Sequence, residues 1–208
     1  MQTHLSSGLL RIFFGLALGF IAVTLSAPAS GADVETIVFL RHGEKLPDGL
    51  GQLSPAGLQR ADALPQVLVK KFGTPGYIFA PNPADQKDDD GVLYSYVRPL
   101  ATIEPTAVAC HLPINTQIGY KDISSLEEEL LKSRYQKSLI FVAWEHHSIE
   151  AAVRDLVTHF GGDAKSVPKW KSDDFDSLYI VRITDGKALD FSVSQEGLNG
   201  LVEKKSSF

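Results

Sequence analysis

Short apolar runs alternate with segments of helical periodicity along most of this chain, and this alternation constrains its fold more than any other feature. Residues 35–40 and 138–144 are rich in β-branched and aromatic residues, a pattern typical of strands buried on both faces. Such alternation favours an α/β protein with a mostly parallel sheet covered by helices on both faces. Residues 178–184 and 188–195, joined by Asp185-Gly186, predict a C-terminal antiparallel hairpin.

The remaining elements follow from caps and periodicity. Strands are predicted at 76–80 and 114–118, with a polar loop at 81–91. Helices are predicted after the caps Ser54, Ser124 or Ser125, and Ser148, and from Arg98 towards His111.

Length and charge limit the classes of protein to which the chain can belong. Its 208 residues suffice for one sizeable domain, and its net charge is −5. No block of lysine or arginine is long enough to follow a nucleic-acid backbone. We therefore expect a single domain that does not bind nucleic acid.

The first 32 residues have the layout of a secretory signal peptide. Arg11 precedes an uncharged apolar stretch at 12–25, and small residues follow at 27–32. Cleavage after Ala29 or after Ala32 fits the small-residue rule, and an uncleaved N-terminal anchor is the alternative. Both interpretations predict a domain at residues 33–208 that lies outside the cytoplasm, secreted or periplasmic, and touches the membrane only if the segment is retained.

A group suited to phosphoryl chemistry follows the first strand directly. In Arg41-His42-Gly43-Glu44, the histidine stands just beyond a buried strand, the arginine offers a planar fork of donors, and the glycine permits a tight backbone. Arg98 begins a helix, and His146 follows the strand at 138–144. Because working groups gather at the carboxyl ends of parallel strands, we expect these two arginines and two histidines to converge.

With these motifs the chain resembles the histidine phosphatase superfamily (phosphoglycerate mutase-like, branch one), as an exported bacterial-type member. The resemblance covers roughly residues 35–160. It implies an αβα sandwich, a phosphohistidine intermediate on His42 and no metal or other cofactor. It also implies that Arg41, Arg98 and His146 bind the phosphoryl group, while Gly43 and Glu44 order the loop.

The general acid is less clear from the sequence. Asp122 lies in the right part of the chain, whereas Glu145 adjoins His146 but would face the other way if both lay on a strand. Glu44 is a third candidate. The acidic run at 88–90 lacks the spacing of a calcium loop and is interpreted as solvated.

The expected function is that of an exported phosphatase that hydrolyses a phosphomonoester or phosphoanhydride. Its substrate would be a small phosphorylated molecule or a phosphorylated glycan or lipid of the envelope. One alternative is a phosphoryl-binding module of the same fold without catalysis. The other is a metal-dependent hydrolase, against which the sequence offers no helical pair of histidines four residues apart.

Overall fold

A computed structural model describes Met1 and residues 32–199. The signal peptide or anchor predicted at 1–32 thus lies, except for its two ends, outside the described residues. Among the helices that the structure describes, none combines the length and apolar character needed to cross a membrane.

The described domain, residues 32–199, contains ten strands and four α-helices. In chain order they are β1 (Val34–Arg41), β2 (Lys45–Leu46), β3 (Gly49–Leu53), α1 (Pro55–Phe72), β4 (Tyr77–Phe79), β5 (Gln86–Asp89), β6 (Val92–Ser95), α2 (Arg98–Cys110), β7 (Ile114–Asn115), α3 (Ile123–Leu130), β8 (Leu139–Trp144), α4 (His146–His159), β9 (Ser177–Thr184) and β10 (Ala188–Gln195).

The central sheet has six strands in the order β10-β9-β1-β8-β4-β7. Strands β1, β8, β4 and β7 are mutually parallel. Strand β9 runs antiparallel to β1, and β10 completes the hairpin at the edge. The mostly parallel sheet and the C-terminal hairpin predicted from the sequence are both confirmed.

Helices cover both faces of this sheet and create two apolar cores. On one face α1 and α2 pack against side chains such as Val38 and Phe141. On the other face α3 and α4 pack against Phe39, Val142 and Trp144. Alternate residues of β1 and β8 thus serve opposite cores, which explains why their sequences are continuously apolar. The fold is a three-layer αβα sandwich.

Two helices begin earlier than the sequence suggested. Asp122 caps α3 by accepting a hydrogen bond from the Ser125 N–H, and Glu145 caps α4 by accepting one from the Ser148 N–H. The N-cap in each case is therefore the acidic residue three positions upstream, and the serine that was predicted as the cap donates its backbone N–H to that acid. As a consequence His146 is the first residue of a helix.

Two short hairpins, β2–β3 and β5–β6, were not predicted. The second begins within the predicted polar loop at 81–91 and extends beyond it to Ser95. Its strands carry no apolar alternation that would reveal them, since the inward-facing side chain of Asp89 is charged and buried. This β5–β6 hairpin contributes directly to the site described next.

Candidate active site

His42 lies at the carboxyl end of β1, where the sheet positions it. Its backbone N–H donates to the carbonyl oxygen of Trp144, at the end of the neighbouring parallel strand β8, over 3.1 Å. Its ring Nδ1 lies 2.7 Å from the Gly43 carbonyl oxygen, so this nitrogen carries the hydrogen and donates it. The other ring nitrogen, Nε2, keeps its lone pair.

The surroundings of His42 keep its ring uncharged. Burial lowers the pKa of His42 to about 3, and the nearby charges of Arg41, Arg98 and Lys87 act in the same direction, against the Gly43 carbonyl. The side chain is only 3% exposed. A neutral imidazole with a free Nε2 is the form that attacks phosphorus.

Gly43 allows the loop after His42 to pack tightly against two helices. Its N–H donates to Thr102 Oγ1 over 2.9 Å, and that hydroxyl donates to the Arg98 carbonyl oxygen. A Cβ on Gly43 would lie 3.0 Å from the Gly57 Cα in α1. The small residue thus links the nucleophile loop to the helix that carries Arg98.

Arg41, the last residue of β1, is buried and oriented by a distant loop. Its Nη1 donates to the carbonyl oxygens of Ser172 and Asp174 over 2.8 and 2.9 Å. Its guanidinium carbon lies 3.9 Å from the centre of the Phe175 ring. The buried Nε of Arg41 has no partner among the described residues.

Arg98, the first residue of α2, is held by a carboxylate from the β5–β6 hairpin. Asp89 accepts two hydrogen bonds from it, from Nη1 over 2.6 Å and from Nη2 over 3.2 Å. The buried Nε of Arg98 has no partner within residues 32–199. The prediction that the acidic run at 88–90 is solvated is therefore wrong for Asp89. Its carboxylate is buried because it binds the buried guanidinium of Arg98.

His146 begins α4, next to the end of β1. Its Nδ1 lies 2.8 Å from Glu145 Oε1 without hydrogen-bond geometry, and neither ring nitrogen has a hydrogen-bond partner in the described part of the chain. Glu145 does not face away, as alternation along a strand suggested, because the strand ends at Trp144 and the backbone turns into the helix. The structure thus brings His42, Arg41, Arg98 and His146 to one edge of the sheet.

The three acid candidates have different surroundings. Burial favours the protonated form of Glu145, but its contact with His146 and the nearby Lys87 ammonium outweigh this and lower its pKa to about 2. Asp122 is exposed and bonded to Ser124 and Ser125 of its own helix. Glu44 accepts hydrogen bonds from the buried Arg60, the shortest over 2.7 Å, which suits its predicted loop-ordering role.

Sequence reasoning missed several residues of this site. Lys87 lies with its ammonium 3.9 Å from Glu145 Oε1, and the fully buried Tyr96 ring lies 6.0 Å from the His42 ring. Lys87 belongs to the β5–β6 hairpin, and Tyr96 follows that hairpin directly. The spacing of Lys87 and Asp89, two residues apart and therefore on one face of a strand, is a sequence signal for Lys87.

A cavity of about 760 Å³ adjoins the site beside Arg41. It is lined by His147, Lys169, Trp170, Lys171, Ser172 and Asp173. Ser172, which lines this cavity, also orients Arg41 by accepting a hydrogen bond from its guanidinium.

One group among the described residues has the composition of a metal site. Glu145, His146 and His147 each offer a ligand atom, and these atoms lie within 4.8 Å of one another. The Lys87 ammonium lies 3.9 Å from the same carboxylate, and the Glu145 charge also acts on Arg41. These neighbouring cations disfavour a divalent ion at this position.

Comparison with known proteins identifies the fold. The chain matches no protein-family model and no curated protein. Its structure is similar to that of the protein histidine phosphatase SixA complexed with tungstate, at 12% identity and a TM-score of 0.56, covering 77% of this chain and 97% of the other.

Two further solved structures share the arrangement. One is phosphoglycerate mutase from Plasmodium falciparum, at 12% identity and a TM-score of 0.53, covering 77% of this chain and 89% of the other. The second is a phosphoserine phosphatase mutant from Entamoeba histolytica in complex with phosphoserine, at 14% identity and a TM-score of 0.51, covering 80% and 98%. The described domain therefore has the phosphoglycerate mutase-like fold of the histidine phosphatases, as its motifs predicted.

Proposed function

We propose that this protein is a phosphatase that hydrolyses a phosphomonoester or phosphoanhydride through a phosphohistidine on His42. The observation that carries the proposal is the state of this histidine. It is buried and neutral, its Nδ1 is held by the Gly43 carbonyl oxygen, and its Nε2 is free. Arg41 and Arg98 flank it, each with a buried Nε that has no partner among the described residues.

The first half of the reaction transfers the phosphoryl group to the enzyme. Nε2 of His42 attacks the phosphorus while the bond to the leaving oxygen breaks. Arg41, Arg98 and, when both of its ring nitrogens carry a hydrogen, Nε2 of His146 donate to the phosphoryl oxygens, over which negative charge is spread in the transition state. Because these donors are already oriented by Asp174, Asp89 and Glu145, little reorganisation accompanies the step.

The second half regenerates the enzyme. Water attacks the phosphorus of phospho-His42, the N–P bond breaks, and its electron pair returns to Nε2. The known proteins of this fold include a protein histidine phosphatase and a phosphoserine phosphatase. These structural neighbours support a phosphatase, and they do not share one substrate that could be assigned to this chain.

The proposal includes export and metal independence. The apolar segment at 12–25 with small residues after it supports secretion to the periplasm or beyond, where a small phosphorylated molecule or an envelope phosphoglycan or phospholipid would be the substrate. Recovery of protein cleaved after Ala29 or Ala32 in the exported fraction would support this. Uncleaved protein in the cytoplasm would contradict it.

The second candidate function is binding of a phosphorylated ligand without turnover. The observation that favours it is that none of the three carboxyl groups considered as acids is a ready proton donor. Glu145 is ionised, Asp122 is exposed and bonded to its own helix, and Glu44 is paired with Arg60. Such a protein would bind phosphate at the two arginines and release no product.

Rapid-quench labelling separates these functions. With radiolabelled phenyl phosphate, the full-length protein should acquire acid-labile, base-stable label on His42 and release phosphate. His42→Ala should lose both while keeping its circular dichroism and its unfolding midpoint. Normal turnover by this variant would refute the assignment of the nucleophile. Tight binding of phosphate without turnover would support the binding function, and loss of turnover on chelation would support the metal-dependent one.

A further inference from the structure

The β5–β6 hairpin brings a lysine into the site that none of the roles above requires. Its Lys87 Nζ lies 3.9 Å from Glu145 Oε1. The same ammonium lies 5.0 Å from the centre of the Tyr96 ring and 5.2 Å from that of Tyr120. The side chain is 23% exposed, so solvent reaches part of it.

Lys87 acts electrostatically on the nucleophile, as the two arginines do. Its charge lowers the pKa of His42, though less than those of Arg41 and Arg98. The Tyr96 ring, against which the ammonium packs, stands edge-on to the His42 ring at 6.0 Å. A phosphoryl group held by the two arginines would therefore lie between His42 and the region that Lys87 reaches.

The surroundings of Lys87 weaken its hold on its proton. Burial lowers the pKa of Lys87, and the charges of Arg98 on α2 and Lys45 on β2 lower it further. Glu145 and Asp89 act in the opposite direction. The rings of Tyr96 and Tyr120, 5.0 and 5.2 Å from the ammonium, favour its charged form, but burial and the neighbouring cations leave the pKa of Lys87 lowered overall. Such a lysine is a better acid than one in water.

The carboxyl groups leave the role of proton donor open. The ionised Glu145 has no proton to give, Asp122 is exposed on its own helix, and Glu44 is bound by Arg60. Tyr96 has a buried hydroxyl with no partner within residues 32–199, but burial raises its pKa, which makes it a poor acid. Lys87, by contrast, carries a proton and is partly exposed beside Glu145.

We infer that Lys87 is the general acid of this site and protonates the leaving oxygen of the substrate, an inference that rests on the proposed phosphatase function. As His42 Nε2 bonds to phosphorus, the bond to the leaving oxygen breaks, its electron pair stays on that oxygen, and the proton passes to it from Lys87 Nζ. In the second half the neutral amine takes a proton from the attacking water, and phosphate departs.

Glu145 acts on this reaction as a positioning residue. Its Oε1 lies near both His146 Nδ1 and Lys87 Nζ, at 2.8 and 3.9 Å, while Oε2 accepts the Ser148 N–H at the start of α4. One carboxylate thus orients a donor to the phosphoryl oxygens and a donor to the leaving oxygen. The β5–β6 hairpin thus contributes the proposed proton donor to the reaction.

The test compares substrates whose leaving groups differ in acidity. An acidic leaving group such as 4-nitrophenol departs without a proton, whereas the alcohol of glycerol 2-phosphate requires one. Lys87→Met should lower kcat/KM for glycerol 2-phosphate by about 100-fold or more, and for 4-nitrophenyl phosphate by less than about 5-fold. Lys121→Met is the control, because Lys121 is exposed and its ammonium lies 5.5 Å from the same Tyr120 ring.

Lys87→Arg distinguishes an acid from a charge that binds phosphate. Arginine keeps the positive charge but holds its proton too firmly to release it. We therefore expect Lys87→Arg to resemble Lys87→Met on glycerol 2-phosphate, and both to lack the high-pH decline of wild-type kcat/KM. Rescue by arginine, or an equal loss with both substrates, would overturn the assignment in favour of a binding role.

The remaining outcomes separate this inference from the proposed function. Wild-type protein that hydrolyses 4-nitrophenyl phosphate but not glycerol 2-phosphate would overturn the role of Lys87, because an enzyme without a working acid behaves in this way. Unchanged kinetics of Lys87→Met would overturn it as well. Wild-type protein that shows neither turnover nor label on His42 would refute the phosphatase function itself, and the role of Lys87 with it.

Discussion

Asp89 holds Arg98 through two hydrogen bonds of 2.6 and 3.2 Å, and both side chains are almost completely buried. Asp89 also accepts the Gly51 N–H over 3.0 Å. The pair thus connects the β5–β6 hairpin, the β2–β3 hairpin and the start of α2. It fixes two nitrogens of the guanidinium and leaves Nε for a ligand.

Replacing Asp89 should therefore affect stability and catalysis together. Asp89→Asn leaves the buried charge of Arg98 without its counter-ion, and we expect a loss of about 3 kcal/mol or more in the free energy of unfolding. We also expect kcat/KM to fall, since Arg98 is no longer held. Denaturant unfolding and steady-state kinetics measure the two effects. The exposed neighbour Asp88 is the matched control, and Asp88→Asn should alter the unfolding free energy by less than about 0.5 kcal/mol.

Arg60 stabilises the loop after His42 by binding Glu44. It is fully buried and bonded to three carboxylates, Glu44 over 2.7 Å, Glu196 over 2.6 Å and Asp176 over 3.2 Å. Arg60→Met removes their shared counter-ion and should cost about 3–5 kcal/mol of unfolding free energy. Arg182→Met, which removes an exposed arginine 3.9 Å from Asp190, should cost less than about 1 kcal/mol. Similar midpoints for the two variants in urea would contradict the structural role of Arg60.

Gly57 should respond to substitution in the opposite sense to an ordinary helical glycine. Replacing a glycine by alanine within a helix usually stabilises it by up to about 1 kcal/mol. A Cβ on Gly57, however, would collide with the backbone carbonyl oxygen of Glu44. We expect Gly57→Ala to destabilise the protein by about 1–3 kcal/mol and to lower kcat, because Glu44 is two residues from His42.

Thermal unfolding and kinetics of Gly57→Ala test this expectation. Leu58→Ala, at the next position of α1 and with a side chain 52% exposed, provides a comparison in which the helix changes but the loop does not. A Gly57→Ala variant more stable than the wild type would show that the close approach of helix and loop is not required.

The buried His42 should make stability depend on pH. Its pKa is lowered to about 3 in the folded protein, whereas an unfolded histidine titrates near about 6.5. Between these values the unfolded chain binds a proton that the folded protein does not, so the contribution of His42 to stability rises with pH and is lost as pH falls from about 6.5 towards 3.

Comparison with His42→Gln isolates this effect. Groups that titrate in both proteins cancel in the difference between their unfolding free energies. This difference should change with a slope of up to about 1.4 kcal/mol per pH unit within the window and should level off above about pH 7.5. Parallel pH profiles for the two proteins would mean that His42 is not buried in its neutral form.

Much of the architecture was predictable because it depends on local patterns. The apolar continuity of residues 35–40 and 138–144 indicated central parallel strands, and Asp185-Gly186 indicated the C-terminal hairpin, both of which the structure confirms. The positions of His42 and His146 followed from the same patterns, since His42 comes directly after a buried strand and His146 after one intervening residue. Helix starts were predicted less well at Asp122 and Glu145, because an acid and a serine three residues apart can each serve as an N-cap and the sequence alone does not choose between them.

By itself, then, the sequence determined the sheet, its helical layers and the residues that stand at the ends of its strands. Only the tertiary structure decided how these residues are paired: Asp89 with Arg98, Glu44 with Arg60, and Glu145 with both His146 and Lys87. The physical reason is that backbone periodicity is set by neighbours in the chain. The partner of a buried charge is set instead by which distant side chains are excluded from water at the same place.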